Sequence, residues 1–127
     1  MGIEKGDYVR VSYMYGNTKI AKIEKILDKD PCYKNMQMYR IDRSVQHDSA
    51  SYISSKIYKE DIIKHSKNLI DVIKVGDVIT TNNLCGEIAK IKEDKIWLAC
   101  SDCCYVENIK SIITKEQIKE MEYKINE

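Results

Sequence analysis

The residue types most open to chemistry in this chain are its cysteines. Five stand at positions 32, 85, 100, 103 and 104, and three of them form Cys100-Ser101-Asp102-Cys103-Cys104. A Cys-x-x-Cys of this kind can seed either of two chemistries. Structural zinc needs four ligands in a tetrahedron and so a second close pair. Cys85 stands alone and Cys32 is remote in sequence, so no metal is expected. A redox pair opens a helix, whose dipole lowers the thiol pKa, whereas this cluster falls between two predicted strands. The expectation is that alternate cysteines fill a core as compact hydrophobes, with an exposed Cys103 or Cys104 open to oxidation. An odd cysteine count argues against a secreted disulfide framework and for reduced thiols.

The other classical catalytic groups are sparse. His47 and His65 are the only histidines. His47 is followed by Asp48 and Ser49, but a hydrolytic triad is a spatial arrangement, and no nucleophile elbow or Gly-rich oxyanion segment accompanies these residues. His47 reads as a loop residue and His65 as part of a surface turn. The five glycines, at 2, 6, 16, 76 and 86, build no phosphate-cradling loop. Neither catalytic residues nor a cofactor is expected, and the chain reads as a non-enzyme.

Those groups must be carried by a small fold. The chain has 127 residues, 43% hydrophobic and 32% charged, which places it among globular rather than disordered sequences. Its net charge of +1 conceals an asymmetry. Residues 1–68 hold 13 basic against 9 acidic side chains, and residues 69–127 hold 8 against 11. All three arginines, Arg10, Arg40 and Arg43, lie in the first part. The N-terminus has no apolar signal region and no run approaches 18 apolar residues, so a soluble cytoplasmic protein with no membrane partner is expected.

The organising pattern is a duplication. Ile3-Glu4-Lys5-Gly6-Asp7-Tyr8-Val9-Arg10 is echoed by Ile73-Lys74-Val75-Gly76-Asp77-Val78-Ile79-Thr80. Each copy is followed by a second glycine, Gly16 or Gly86, and then by the same tetrapeptide, Ile20-Ala21-Lys22-Ile23 or Ile88-Ala89-Lys90-Ile91. The repeated Gly-Asp predicts a turn with the aspartate in an Asx role. Alternating apolar residues predict strands over 7–13, 20–27 (with a bulge), 36–42 and within 52–58, then over 77–81, 87–92, 95–100 and 104–106. Ser66 predicts an N-cap for a helix over 67–73. Thr114-Lys115-Glu116-Gln117 predicts a capping box, aligned with Ser66-Lys67-Asn68-Leu69, for a helix over 115–121. Residues 122–126 read as a last strand. Glu107-Asn108-Ile109 matches Glu60-Asp61-Ile62. Trp97, between Ile96 and Leu98, is assigned to the second core, with the interface between the units as the alternative. The predicted units are residues 1–72 and 73–127.

Gly-Asp-x-Val-x-Val, a loop, a glycine and Ile-Ala-Lys-Ile resemble the opening of small SH3-like β-barrels, including the nucleic-acid-associated KOW type. The resemblance covers the first part of each unit. It implies a mainly β protein of two tandem SH3-like barrels, each followed by a short capped helix. The whole chain is also similar to small uncharacterised proteins of phages and prophages of low-GC Gram-positive bacteria. The phrases shared are Lys-Glu-Asp-Ile-Ile-Lys-His-Ser, Asn-Leu-Ile-Asp-Val-Ile-Lys-Val-Gly-Asp-Val and Ile-Lys-Ser-Ile-Ile-Thr-Lys-Glu-Gln. That similarity implies an anti-defence, anti-CRISPR-like inhibitor that binds a host protein in the host cytoplasm. Tyr13, Met14 and Tyr15 fall in the loop where SH3-like barrels present aromatics to ligands. With Tyr39, Arg40 and Arg43 they make the expected partner-binding set, rings and guanidinium groups able to hold an acidic protein surface, a nucleotide signal or nucleic acid. Two alternatives stand beside it: a sponge for a small nucleotide-like signal, bound between subunits of a homo-oligomer, and a nucleic-acid-binding module. The near-neutral charge weighs against nucleic acid.

Overall fold

A computed structural model describes residues 2–12, 18–42 and 56–119. The chain is mainly β, with two five-stranded antiparallel sheets that follow one another in sequence. The first holds β1 (Tyr8–Ser12), β2 (Thr18–Ile26), β3 (Met38–Asp42), β4 (Lys56–Tyr58) and β5 (Ile62–Ser66), in the order β4-β3-β2-β1-β5. The second holds β6 (Val78–Thr80), β7 (Cys85–Lys92), β8 (Lys95–Leu98), β9 (Cys103–Tyr105) and β10 (Ser111–Ile113), in the equivalent order β10-β6-β7-β8-β9. Among the described residues no ladder joins β4 to β5 or β9 to β10, so neither sheet closes into a barrel. Strands β5 and β10 were not expected from the sequence, which reads there as a turn leading into a cap.

Among the described residues, three short 3-10 turns punctuate the chain. Lys59–Asp61 and Val106–Asn108 precede the last strand of each sheet, and Leu69–Asp71 stands where a longer helix over 67–73 was expected. Ser66 is the last residue of β5, and its Oγ accepts from the Asn68 amide at 3.1 Å. The N-cap of the turn is Asn68, which makes no side-chain cap bond, so the cap expected at Ser66 is not formed. The second sheet is followed by a helix described over 115–119. Thr114 Oγ1 accepts from the Gln117 amide at 3.3 Å, half of the expected capping box. The reciprocal half is not made, since Gln117 Oε1 has no partner among the described residues. The strand expected over 122–126 lies outside the described residues.

The duplication is real, but its register differs from the one the matching tetrapeptides suggest. Tyr8 faces Lys22 and Val78 faces Glu87, so Ile23 corresponds to Ile88. The backbone agrees. Ile23 N donates to Asp7 O at 2.7 Å and Ile88 N donates to Asp77 O at 2.8 Å. The β-bulges also coincide, after Ile23 on β2 and after Ile88 on β7. Ile20-Ala21-Lys22-Ile23 is therefore three residues out of step with its apparent copy. Similarly, Tyr8 faces Ser66 and Val78 faces Ile113, so Thr114 corresponds to Lys67 and not to Ser66. Sequence identity misleads because Ile and Lys are frequent in this chain and recur through both β2 and β7.

Gly6 and Gly76 take φ of +92° and +99°, a left-handed turn that glycine adopts without a Cβ clash. The aspartates that follow do the expected Asx work. Asp7 Oδ2 accepts from Glu4 N at 3.0 Å and Asp77 Oδ2 accepts from Lys74 N at 2.9 Å.

Two apolar clusters form the interior. Val9, Val11, Ala21, Ile23, Ile41 and Ile57, with Tyr39, fill the first; Ile79, Ile88, Ile96, Leu98 and Ile112 fill the second. Ile20, Val72 and Ile73 also belong to the second cluster. Strand β1 is thus used on both faces. Val9 and Val11 point into the first core, while Arg10, with Ile20 beside it in register, points toward the second sheet. Double-sided burial makes Val9 to Val11 and Thr18 to Ala21 continuously buried instead of alternating.

The two sheets are joined by a buried ion pair. The Arg10 guanidinium donates from Nη1 to Asp77 Oδ2 at 2.8 Å and from Nη2 to Asp77 Oδ1 at 2.9 Å, with further bonds to Val72 O and Glu116 Oε2. Arg10 is 2% exposed and Asp77 is fully buried. The second Asp of the repeat is therefore both a turn residue and the receptor for an arginine from the first sheet. Thr114 Oγ1, which donates to Thr18 O at 2.6 Å, adds a second bond across the same seam.

Candidate groove on the second sheet

A groove of about 630 Å³ lies at one end of the second sheet. Three local structures shape it. The link between β6 and β7 is stiffened by its own hydrogen bonds: Thr81 N donates to Leu84 O at 2.8 Å, and Thr81 Oγ1 accepts from Leu84 N at 3.0 Å. Opposite this wall, Tyr105 ends β9 and begins the 3-10 turn that carries Glu107 and Asn108. Lys110 completes the rim, held by a bond from its amide to Thr80 O at 2.7 Å. Asn82 and Asn83 line the first wall and Lys95 lies under the tyrosine. Tyr105 is 46% exposed, an unusual amount of open aromatic surface for a strand end.

Beside the groove runs a cation–aromatic stack. Trp97 lies on the solvent side of β8, since Ile96 and Leu98 on either side of it point into the core. This corrects the expectation of a core tryptophan: alternation along a strand puts the middle residue of Ile-Trp-Leu on the opposite face. Lys90 Nζ and Lys95 Nζ sit 5.2 and 5.1 Å from the Trp97 ring centroid, and Lys95 Nζ is also 6.0 Å from that of Tyr105. Such lysine–aromatic contacts are worth about 0.5–1 kcal/mol each at exposed sites.

The cysteines serve the core less than expected. Only Cys104 is buried, its thiol pKa pushed up by burial. Cys32, Cys85, Cys100 and Cys103 are exposed, which corrects the reading of alternate cysteines as core fillers. Among the described residues no three His, Cys, Asp or Glu side chains converge as a metal would require. His65 lies on β5 and not in a turn, with Nδ1 3.4 Å from Asp7 Oδ2.

Of the residues expected to bind a partner, Tyr39 belongs to the first core, 5% exposed, and burial raises its hydroxyl pKa. Arg40 is exposed on β3, paired with Lys25 and Lys56. Tyr13, Met14, Tyr15 and Arg43, like His47, lie outside the described residues. The sequence reading passed over Tyr105 and Glu107 as a pair, although a signal was present. Tyr58-Lys59-Glu60 and Tyr105-Val106-Glu107 share Tyr-x-Glu, whose tyrosine stands two residues ahead of the match already noted from Glu60.

No helix among the described residues is long and apolar enough to cross a membrane. Comparison with protein-family models, with curated proteins and with solved structures returned no match.

Proposed function

We propose that the chain is a non-enzymatic binding protein acting through protein–protein contacts, its two sheets being tandem SH3-like units and the groove of the second its recognition surface. The observation that carries this reading is the groove's lining. Tyr105, Glu107, Asn108 and Lys110 offer an open ring, an acceptor, an amide and a cation within one concavity. An exposed aromatic ringed by directional polar groups is the composition of an interface anchor. The similarity to phage and prophage proteins supports a host factor as the partner, and so an anti-defence inhibitor. The test is affinity capture from host lysate with the wild-type chain and with Tyr105→Ala. A host protein retained by the first and lost by the second supports the reading; equal retention by both refutes the groove as its site.

A second reading is favoured by the stack of Lys90, Trp97 and Lys95. A ring flanked by two cations suits a planar anion, such as a nucleotide-like signal or a single nucleic-acid strand. Trp97 is the only tryptophan, so its fluorescence reports directly. Saturable quenching by nucleotides, or by an oligonucleotide with a steep salt dependence, would favour this reading over the first.

A further inference from the structure

The first sheet displays what the groove of the second is shaped to hold. Tyr58 and Tyr105 occupy the same place: each is the last residue of its strand and the N-cap of a 3-10 turn, with φ, ψ of −97°, 153° and −100°, 152°. Glu60 and Glu107 are the middle residues of those turns. The difference lies in what covers them. Between β2 and β3 the chain makes an excursion over 27–37, closed by a bridge between Asp30 and Met36. Its tip returns to the sheet. The Tyr33 ring stacks on Tyr58 with centroids 4.7 Å apart and planes tilted by 49°. The Tyr33 hydroxyl donates to Glu60, and the Tyr58 hydroxyl donates to Asp30 Oδ2 at 2.6 Å. Asp30 Oδ1 accepts from Cys32 N at 2.9 Å, an Asx turn that fixes the aspartate and the tyrosine in one compact unit.

In the second sheet the corresponding link is only Glu93-Asp94, because Lys92 pairs directly with Lys95. Among the described residues no excursion like that of Tyr33 reaches over Tyr105 and Glu107, and both line the groove. We infer that this groove docks a tyrosine presented on a tight turn three residues after an acidic side chain, an Asp/Glu-x-x-Tyr segment of a partner protein. This rests on the protein-binding reading above. The ligand's ring stacks on Tyr105, its hydroxyl donates to Glu107, and its carboxylate accepts from the Tyr105 hydroxyl. Two substitutions between the halves fit a ligand that arrives from another molecule. Lys95 stands where the first sheet has Met38, as their pairing with Tyr105 and Tyr58 shows, and Lys110 adds a second cation at the rim. Those cations complement the acidic residue of an incoming segment, whereas the first sheet, with its ligand tethered, manages without the one at Met38.

The chain's own sequence supplies the probe. A peptide of residues 28–36, Cys32→Ser to prevent oxidation and cyclised through its ends to imitate the Asp30–Met36 bridge, is titrated into the full chain while backbone amide NMR shifts are followed. Saturable shifts centred on Tyr105, Glu107 and Asn108 are expected, absent with Tyr105→Ala. Replacing the peptide tyrosine by phenylalanine should weaken binding about tenfold, the loss of one hydrogen bond to a carboxylate. A phosphotyrosine peptide should bind worse still, because Glu107 repels it. Absence of shifts at millimolar peptide, equal binding of the three peptides, or shifts centred elsewhere would overturn the inference. So would a chain that dimerises in a concentration-dependent way lost on Tyr105→Ala, since a second copy would then be the occupant. If lysate capture depends on Tyr105 while the peptides fail, the binding reading survives and the Asp/Glu-x-x-Tyr assignment does not.

Discussion

Replacing Arg10 by alanine should separate the two sheets more than any other single substitution. The side chain is 2% exposed and spends its donors on Asp77, Val72 O and Glu116. Removing it leaves the fully buried Asp77 carboxylate facing a cavity. Breaking a buried pair from one side costs about 3–5 kcal/mol, mostly the penalty of the charge left behind. Asp77 would keep two donors, the amides of Lys74 and Lys115, both at 2.9 Å, so the lower end, about 3 kcal/mol, is expected. For a chain of this length that lowers the Tm by about 12 °C. The assay is urea unfolding of wild type, Arg10→Ala, Asp77→Asn and the double variant. The double variant should be more stable than the sum of the single losses predicts, by about 2 kcal/mol, because neither partner is then left charged and alone. The wild-type pair should respond little to added salt, being beyond the reach of screening ions. Losses within 0.5 kcal/mol of zero, or strictly additive ones, would refute the claim that this pair holds the sheets together.

Further outcomes follow from the same geometry. Gly6→Ala should cost about 1 kcal/mol, the price of forcing φ of +92° on a residue with a Cβ that meets no neighbour within 4 Å. Gly76→Ala should cost more by thermal melting, because its Cβ would fall 3.0 Å from Lys115 Cδ and 3.3 Å from its Cβ. Burial would raise the Glu116 carboxyl, but hydrogen bonds from Lys74 and Arg10 outweigh it and hold the pKa at about 2 against an ordinary 4.5. A folded pKa below the unfolded one stabilises above the unfolded value, so this contribution is complete above about pH 4.5 and is lost as pH falls toward 2. With Glu116 31% exposed, screening reduces it to about 1–2 kcal/mol, measurable as an acid destabilisation that Glu116→Gln removes. Brief alkylation of the native protein should modify Cys32, Cys85, Cys100 and Cys103 but spare Cys104, read by mass spectrometry of the peptides. Equal labelling of all five would contradict the burial of Cys104.

Local rules carried much of the fold. Alternating β-branched residues marked eight of the ten strands, the Gly-Asp turns took the predicted positive φ, and the bulge expected in the second strand is present. The strands that escaped, β5 and β10, follow 3-10 turns and carry polar residues such as Lys64, His65 and Ser111, so no period of two stands out. The register of the duplication also escaped. Matching letters gave one alignment and hydrogen-bond ladders another, and only pairing across strands distinguishes them.

The candidate groove was half legible. Glu60 and Glu107 were matched from sequence, yet their meaning depends on Tyr33 returning from a distant excursion to sit on Tyr58, a contact no local pattern announces. Arg10 carried no signal of burial, and Trp97 read as core until the alternation of β8 placed it on the solvent side. Propensity, turn chemistry and period belong to neighbours in sequence, so the chain by itself determined that it is a twofold β protein. Which face of a strand meets water and which meets the other sheet depends on contacts spanning tens of residues. Only the tertiary structure decided that Arg10 is buried against Asp77 and that Tyr105 is left open.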